Sequence, residues 1–141
     1  MNDKWLLKIA SNTKFYGLKN IYTYKTNLKN SICGDKISIE ISLKKNTIQE
    51  LRYETEACIF CQASASTLAN IAKNTNLGDL RKNLSKYLNL SKKVPKKFNN
   101  LTYLLNEKYM NRKDCILLPF KAFYKAIKWY DKKNNIYYYD F

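Results

Sequence analysis

The chain has 141 residues, with 26 Lys and Arg against 11 Asp and Glu, no histidine, and a formal charge of +15. No stretch reaches the roughly 18 apolar residues of a membrane span, and the start of the chain lacks the continuous apolar region of a signal peptide. A soluble cytoplasmic protein forming one domain over residues 1–141 is therefore expected. The absence of histidine excludes the usual catalytic triads and leaves metal or nucleophile chemistry to Cys, Asp and Glu.

In chain order, residues 3–11 place Trp5, Leu6 and Ile9 on one helical face and predict a short opening helix. Alternating β-branched and aromatic residues predict a strand over 21–29. The stretch 36–43, "KISIEISL", sets Ile37, Ile39, Ile41 and Leu43 on one side and Lys36, Ser38, Glu40 and Ser42 on the other. That alternation predicts a strand with one buried and one wet face. After "KKN", residues 48–56 resume as a third strand, making a three-stranded antiparallel meander. From 61 the period becomes helical, with Ala65, Leu68, Ala69 and Ala72 at spacings of three and four; a second helix carries Leu77, Leu80, Leu84 and Leu88. Pro95 lies in a lysine-rich segment, 91–97, read as an exposed loop. Helices are expected over 98–110 and from Cys115 to Tyr130, with Pro119 in the first turn of the last one. The tail "NNIYYYDF" reads as a docking segment for the body or a partner. Strands first and helices afterwards indicate an α+β fold, a small antiparallel sheet with helices packed on one face.

The charge suggests a nucleic-acid or anionic membrane partner. Against this, only Arg52, Arg81 and Arg112 are arginines, whereas base readout leans on Arg. Abundant Lys, Asn, Ile and Tyr together are what an AT-rich coding sequence produces at exposed positions. A nucleic-acid partner is therefore the weaker reading.

Each of the four cysteines, Cys33, Cys58, Cys61 and Cys115, lies at an edge between predicted elements. Cys33 sits in "SICGDK", where Gly34 permits a turn and Asp35 follows. Cys58 stands at a strand-to-helix junction and Cys115 ahead of the last helix, where helix N-termini favour the thiolate. Cys33, Asp35, Cys58 and Cys115 would complete a tetrahedral zinc shell or hold an iron-sulfur cluster mostly by sulfur. The alternative is that these cysteines act as small buried hydrophobes. Cys58-x-x-Cys61 alone carries little, because the second pair that a zinc ribbon needs is missing.

Three segments together resemble one family. "NSICGDKISIEISL" (30–43) is similar to an Asn-Pro-x-Cys-Gly-Asp segment running into an alternating strand. "IQELRYETEACIFCQASAS" (48–66) is similar to one with Gly-x-Gly-Cys-x-x-Ser-x-Ala-Ser, and "RKDCILLPFKAF" (112–123) to one with Arg-x-Lys-Cys-x-x-Leu. The family that the chain resembles in all three is the U-type iron-sulfur cluster assembly scaffolds, that of IscU, SufU and the N-terminal domain of NifU. The resemblance spans about residues 15–128 and implies the SufE/NifU-like fold. It implies that Cys33, Asp35, Cys58 and Cys115 bind zinc or a [2Fe-2S] cluster, with Cys115 accepting persulfide and Asp35 the labile oxygen ligand. The implied partners are a cysteine desulfurase and recipient apo iron-sulfur proteins. A zinc-dependent sulfurtransferase that never holds a cluster is the other function it allows.

The chain departs from the family at Ser31, which replaces Pro, and at Thr55 and Ala57, which replace Gly. Asp114 stands where IscU has His and SufU has Lys, and is a further candidate oxygen ligand. "KYMNRKDC" lacks the Leu-Pro-Pro-Val-Lys segment that engages an Hsp70-type chaperone. The long step from Cys58 to Cys115 places the chain nearer SufU. Cys61 falls where the family has Ser, and its expected role is packing rather than that of a spare ligand or resolving thiol.

Overall fold

A computed structural model describes residues 3–32, 34–88 and 96–134. Residues 91–95 of the loop predicted over 91–97, Cys33 and all but the first residue of the aromatic tail lie outside the described residues, and Lys96–Phe98 form a 3-10 turn. Helix α1 spans Asp3–Ala10, and three strands follow: β1 Tyr24–Lys29, β2 Lys36–Lys44 and β3 Thr47–Glu56. The remaining helices are α2 Ile59–Ala72, α3 Leu77–Leu88, α4 Asn99–Leu104, α5 Lys113–Ala126 and α6 Lys128–Lys133. The sheet runs β1-β2-β3, both pairs antiparallel, with Thr26 opposite Ile39 and Ile39 opposite Tyr53. The α+β reading therefore holds.

The alternation read in β2 sets the architecture. Ile37, Ile39 and Ile41 are buried beside Ile48, Leu51 and Tyr53 of β3, and α2 and α5 cover this face. The β2–β3 connection is a two-residue turn with both Lys45 and Asn46 at positive φ, 50° and 66°. This turn geometry matches the right-handed twist of a hairpin. At one end of β3, Gly17 N–H donates to Tyr53 O and Tyr53 N–H to Phe15 O; at the other, Ile48 exchanges bonds with Asn74 and Thr75. Backbone groups that an edge strand would otherwise expose are thus paired.

The wet face differs from its expectation at Glu40. The residue is only 2% exposed, because residues 16–20 cross over it and the backbone N–H groups of Lys19 and Asn20 donate to its carboxylate oxygens at 2.9–3.1 Å. Arg52 holds the same crossing from the other side, donating to Gly17 O and Tyr16 O. Burial pushes the neighbouring Glu50 carboxyl up, but hydrogen bonds and charge from Arg52 and Lys19 leave it below its ordinary value.

Other boundaries shift for local reasons. β1 begins at Tyr24 rather than residue 21, and α2 begins two residues before Cys61. The helix expected over 98–110 breaks where Asn106 caps a 3-10 turn, Glu107–Arg112, by accepting from Lys108 N–H at 2.7 Å. Because α5 starts at Lys113, Pro119 falls in its second turn and removes the N–H that would bond Cys115 C=O. At the far end, Arg81 of α3 donates to Asp131 of α6 at 2.7 Å in a buried pair. Burial pushes the Asp131 carboxyl up, and Arg81 only partly offsets this.

Glu40→Ala would remove the acceptor of two partly buried N–H groups and is expected to lower the unfolding free energy by about 1–2 kcal/mol. A reduced urea midpoint at unchanged m-value checks this, with Glu40→Gln less affected.

Candidate metal centre

The site forms where three elements end together. The β1–β2 turn is closed by Asn30 N–H donating to Asp35 O and Gly34 N–H to Asn30 O, both at 2.8 Å, with Gly34 at φ +77°. A side chain at that φ is strained, so glycine suits the position. The turn delivers Asp35 to the end of the sheet. β3 runs through Ala57 into Cys58, the residue before α2, whose thiol makes no capping bond to the helix it precedes. Cys115 is the third residue of α5.

α2 and α5 approach closely because α2 is built of small residues. Ala63, Ser64, Ala65, Ser66 and Ala69 are all buried, and Ser64 Oγ donates to Ile116 O at 2.6 Å, one residue beyond Cys115. The N-terminal ends of the two helices therefore meet, a location that favours negative charge. The sulfurs of Cys58 and Cys115 and a carboxylate oxygen of Asp35 lie within 4.8 Å of one another. Asp35 is 8% exposed, Cys115 5%, and Cys58 half-buried.

Asp35 Oδ1 accepts a long bond from Cys58 N–H at 3.4 Å, whereas Oδ2 is buried with no partner among the described residues. A buried carboxylate oxygen without a partner is costly, and a cation supplies what it lacks. Ligand atoms around a tetrahedral zinc stand roughly 3.5–3.8 Å apart for bonds of about 2.0–2.3 Å, so small side-chain adjustments would bring these three onto one ion. Two sulfurs and one oxygen suit zinc or iron and leave a position for a fourth ligand.

The other sequence candidates fall elsewhere. Cys61 is fully buried in the core and does not join this set. Asp114 is exposed and lines a neighbouring cleft with Leu28, Lys29, Ile32, Leu118 and Lys121. Cys33, the fourth predicted ligand, lies outside the described residues. Sequence reasoning missed that cleft, although Asp114, Leu118 and Lys121 share a helical face at spacings of four and three. It also missed the support behind the site: the Phe60 ring packs on Tyr109 at 5.1 Å, and Arg112 lies 5.8 Å from the Phe60 ring centre.

Comparison with known proteins gives the family and the fold. The family model of the NifU-like N terminal domain matches residues 7–136. The iron-sulfur cluster assembly scaffold protein IscU of Thermotoga maritima is 24% identical over 136 residues, covering 91% of this chain and 93% of that protein. An uncharacterised protein of Borreliella burgdorferi is 33% identical over 110 residues, 71% of this chain and 72% of the other. Among solved structures, FiSufU of Fervidobacterium islandicum, named for the SUF system of iron-sulfur cluster assembly, superposes with a TM-score of 0.74 at 23% identity, covering 89% of this chain and 95% of that one. The N-terminal part of a nitrogen-fixing NifU-like protein from Brucella abortus gives 0.76 at 21%, covering 92% and 94%. These two structures share the fold.

Cys61→Ser places a hydroxyl in the core and is expected to cost the metal-free protein about 1–2 kcal/mol. Cys58→Ser, half-buried, should cost much less; paired urea melts in chelator distinguish them.

Proposed function

The chain belongs to the NifU-like N terminal domain family, the U-type iron-sulfur cluster assembly scaffolds, and from that premise we propose that it accepts sulfur from a cysteine desulfurase and assembles a [2Fe-2S] cluster for delivery to apo iron-sulfur proteins. The observation that carries this reading is the convergence of Asp35, Cys58 and Cys115 with an unpartnered buried carboxylate oxygen. Cys33, two residues before Asp35, is the proposed fourth ligand. Thiolates hold iron or zinc strongly, and a carboxylate bond to a soft centre is the weaker one, so Asp35 is where a held cluster would detach.

Sulfur enters on Cys115 by exchange. Its thiolate attacks the outer sulfur of the donor persulfide; the S–S bond of the donor breaks, its thiolate leaves, and Cys115 carries the new persulfide. No net oxidation occurs. Cys58 and Asp35 stand within reach of that sulfur, so metal and sulfur meet on the same three side chains. Burial limits access of water and oxidants to the intermediate.

Protein purified without air is expected to hold about one zinc or iron per chain, by analogy with sites of this ligand set. Cys115→Ala and Asp35→Ala should each lose most of it, measured by elemental analysis, whereas Cys61→Ser should keep it. Unchanged metal in both of the first two variants would falsify the site. Anaerobic reconstitution with iron and sulfide tests the cargo: absorption of a [2Fe-2S] centre is expected, and its absence with zinc retained would favour sulfur relay without a cluster.

A further inference from the structure

Beside the metal centre, the β1–β2 turn and α5 enclose an open cleft of about 300 Å³. The helical wall is the stripe Asp114, Leu118 and Lys121; the other wall is the strand end and turn, with Leu28, Lys29 and Ile32. Each wall adjoins a residue of the site along the chain or through a backbone bond. Asp114 immediately precedes Cys115, and the turn is bonded to Asp35 through Asn30.

Its chemistry is mixed in a particular way. Leu118 is buried and Leu28 half-buried, while Ile32 is 86% exposed at the rim. Lys29 and Lys121 face the same space from opposite walls, and neither ion-pairs among the described residues. Asp114 shares the cleft without ion-pairing to either lysine among the described residues. Glu40 is taken up by backbone N–H groups, Glu50 by Lys19 and Arg52, Asp131 by Arg81, and Glu56 by Lys36.

We propose that this cleft receives an extended acidic segment of the protein that delivers sulfur, a carboxylate bridging Lys29 and Lys121 and an aliphatic side chain covering Ile32 against Leu28 and Leu118. The inference rests on the sulfur-acceptor reading and adds the surface that brings the donor to Cys115. Charge complementarity selects the occupant. The surplus of positive charge, +15 overall, attracts an acidic partner at long range. Asp114, at the end nearest Cys115, repels a carboxylate there and so keeps the acidic residue of the segment at the lysine end. A second copy of this chain would bring the same positive surplus. A nucleic-acid backbone would offer nothing to the exposed Ile32, and Asp114 would repel its phosphates.

The test compares two sulfur sources for the full-length protein: the cysteine desulfurase of the same organism with cysteine, and inorganic polysulfide, which needs no docking. Persulfide on Cys115 is followed by alkylation and mass spectrometry. Lys29→Glu/Lys121→Glu is expected to slow loading from subsaturating desulfurase on the order of tenfold and to flatten its salt dependence, with loading from polysulfide unchanged. Ile32→Ser should raise the half-saturating donor concentration without touching the polysulfide rate. Desulfurase loading as fast in the charge-reversed protein as in the wild type overturns the proposal and leaves the sulfur-acceptor reading standing. Equal slowing with both sources also overturns it, since the damage is then to the site. Weakened RNA retention on filters with desulfurase loading intact overturns it in favour of nucleic acid. Wild-type protein that loads from neither source defeats the sulfur-acceptor reading itself.

Discussion

The close crossing of α2 and α5 is the contact on which the rest of this structure depends. A helix carrying large side chains at positions 63–66 would hold α5 farther off, at the usual spacing of packed helices. Alanine and serine there let the backbones approach until a single hydroxyl, Ser64 Oγ, reaches the carbonyl of Ile116. That bond joins the sixth residue of α2 to the fourth of α5, so it registers the two helix starts against each other. Cys58 and Cys115, distant in sequence, become neighbours as a direct consequence.

The sheet supplies the third member. β3 leads without a loop into α2, so the strand's position on the sheet places Cys58, and the antiparallel partner β2 begins one residue after Asp35. Register then does the work: Lys36 lies opposite Glu56, which leaves Asp35 and Ala57–Cys58 as the adjoining ends of paired strands. A shift of one residue would turn Ile37, Ile39 and Ile41 out of the core, so the hydrophobic alternation that builds the core also fixes the site.

Charge is distributed with a similar division. Two buried acids have dedicated donors, Glu40 in the N–H groups of Lys19 and Asn20 and Asp131 in Arg81, whereas Asp35 keeps an unpartnered oxygen among the described residues. These pairings tie loops and helices to the sheet. Lys29 and Lys121, in no ion pair among the described residues, line the cleft between the β1–β2 turn and α5.

Period and local chemistry alone indicated much of this protein. The strict alternation of 36–43, the small-residue helix after Cys58 and the leucine spacing of 77–88 each state their own structure, because side-chain direction repeats every two or every 3.6 residues. The spacing of Cys33, Asp35, Cys58 and Cys115 within three family-like segments pointed to a set of ligands, and it separated Cys58 from Cys61 before either was placed. Other features depended on contacts between distant segments. Glu40 reads as solvent-facing in its strand, and only the crossing of residues 16–20 makes it a buried anchor. Asn106 breaks a helix whose apolar pattern continues through it, and Pro119 lies a turn deeper than its local sequence suggests because α5 starts earlier. The convergence of two thiols and a carboxylate is of this second kind: it follows from how closely one helix can approach another, a distance set by packing across the fold rather than by any single segment.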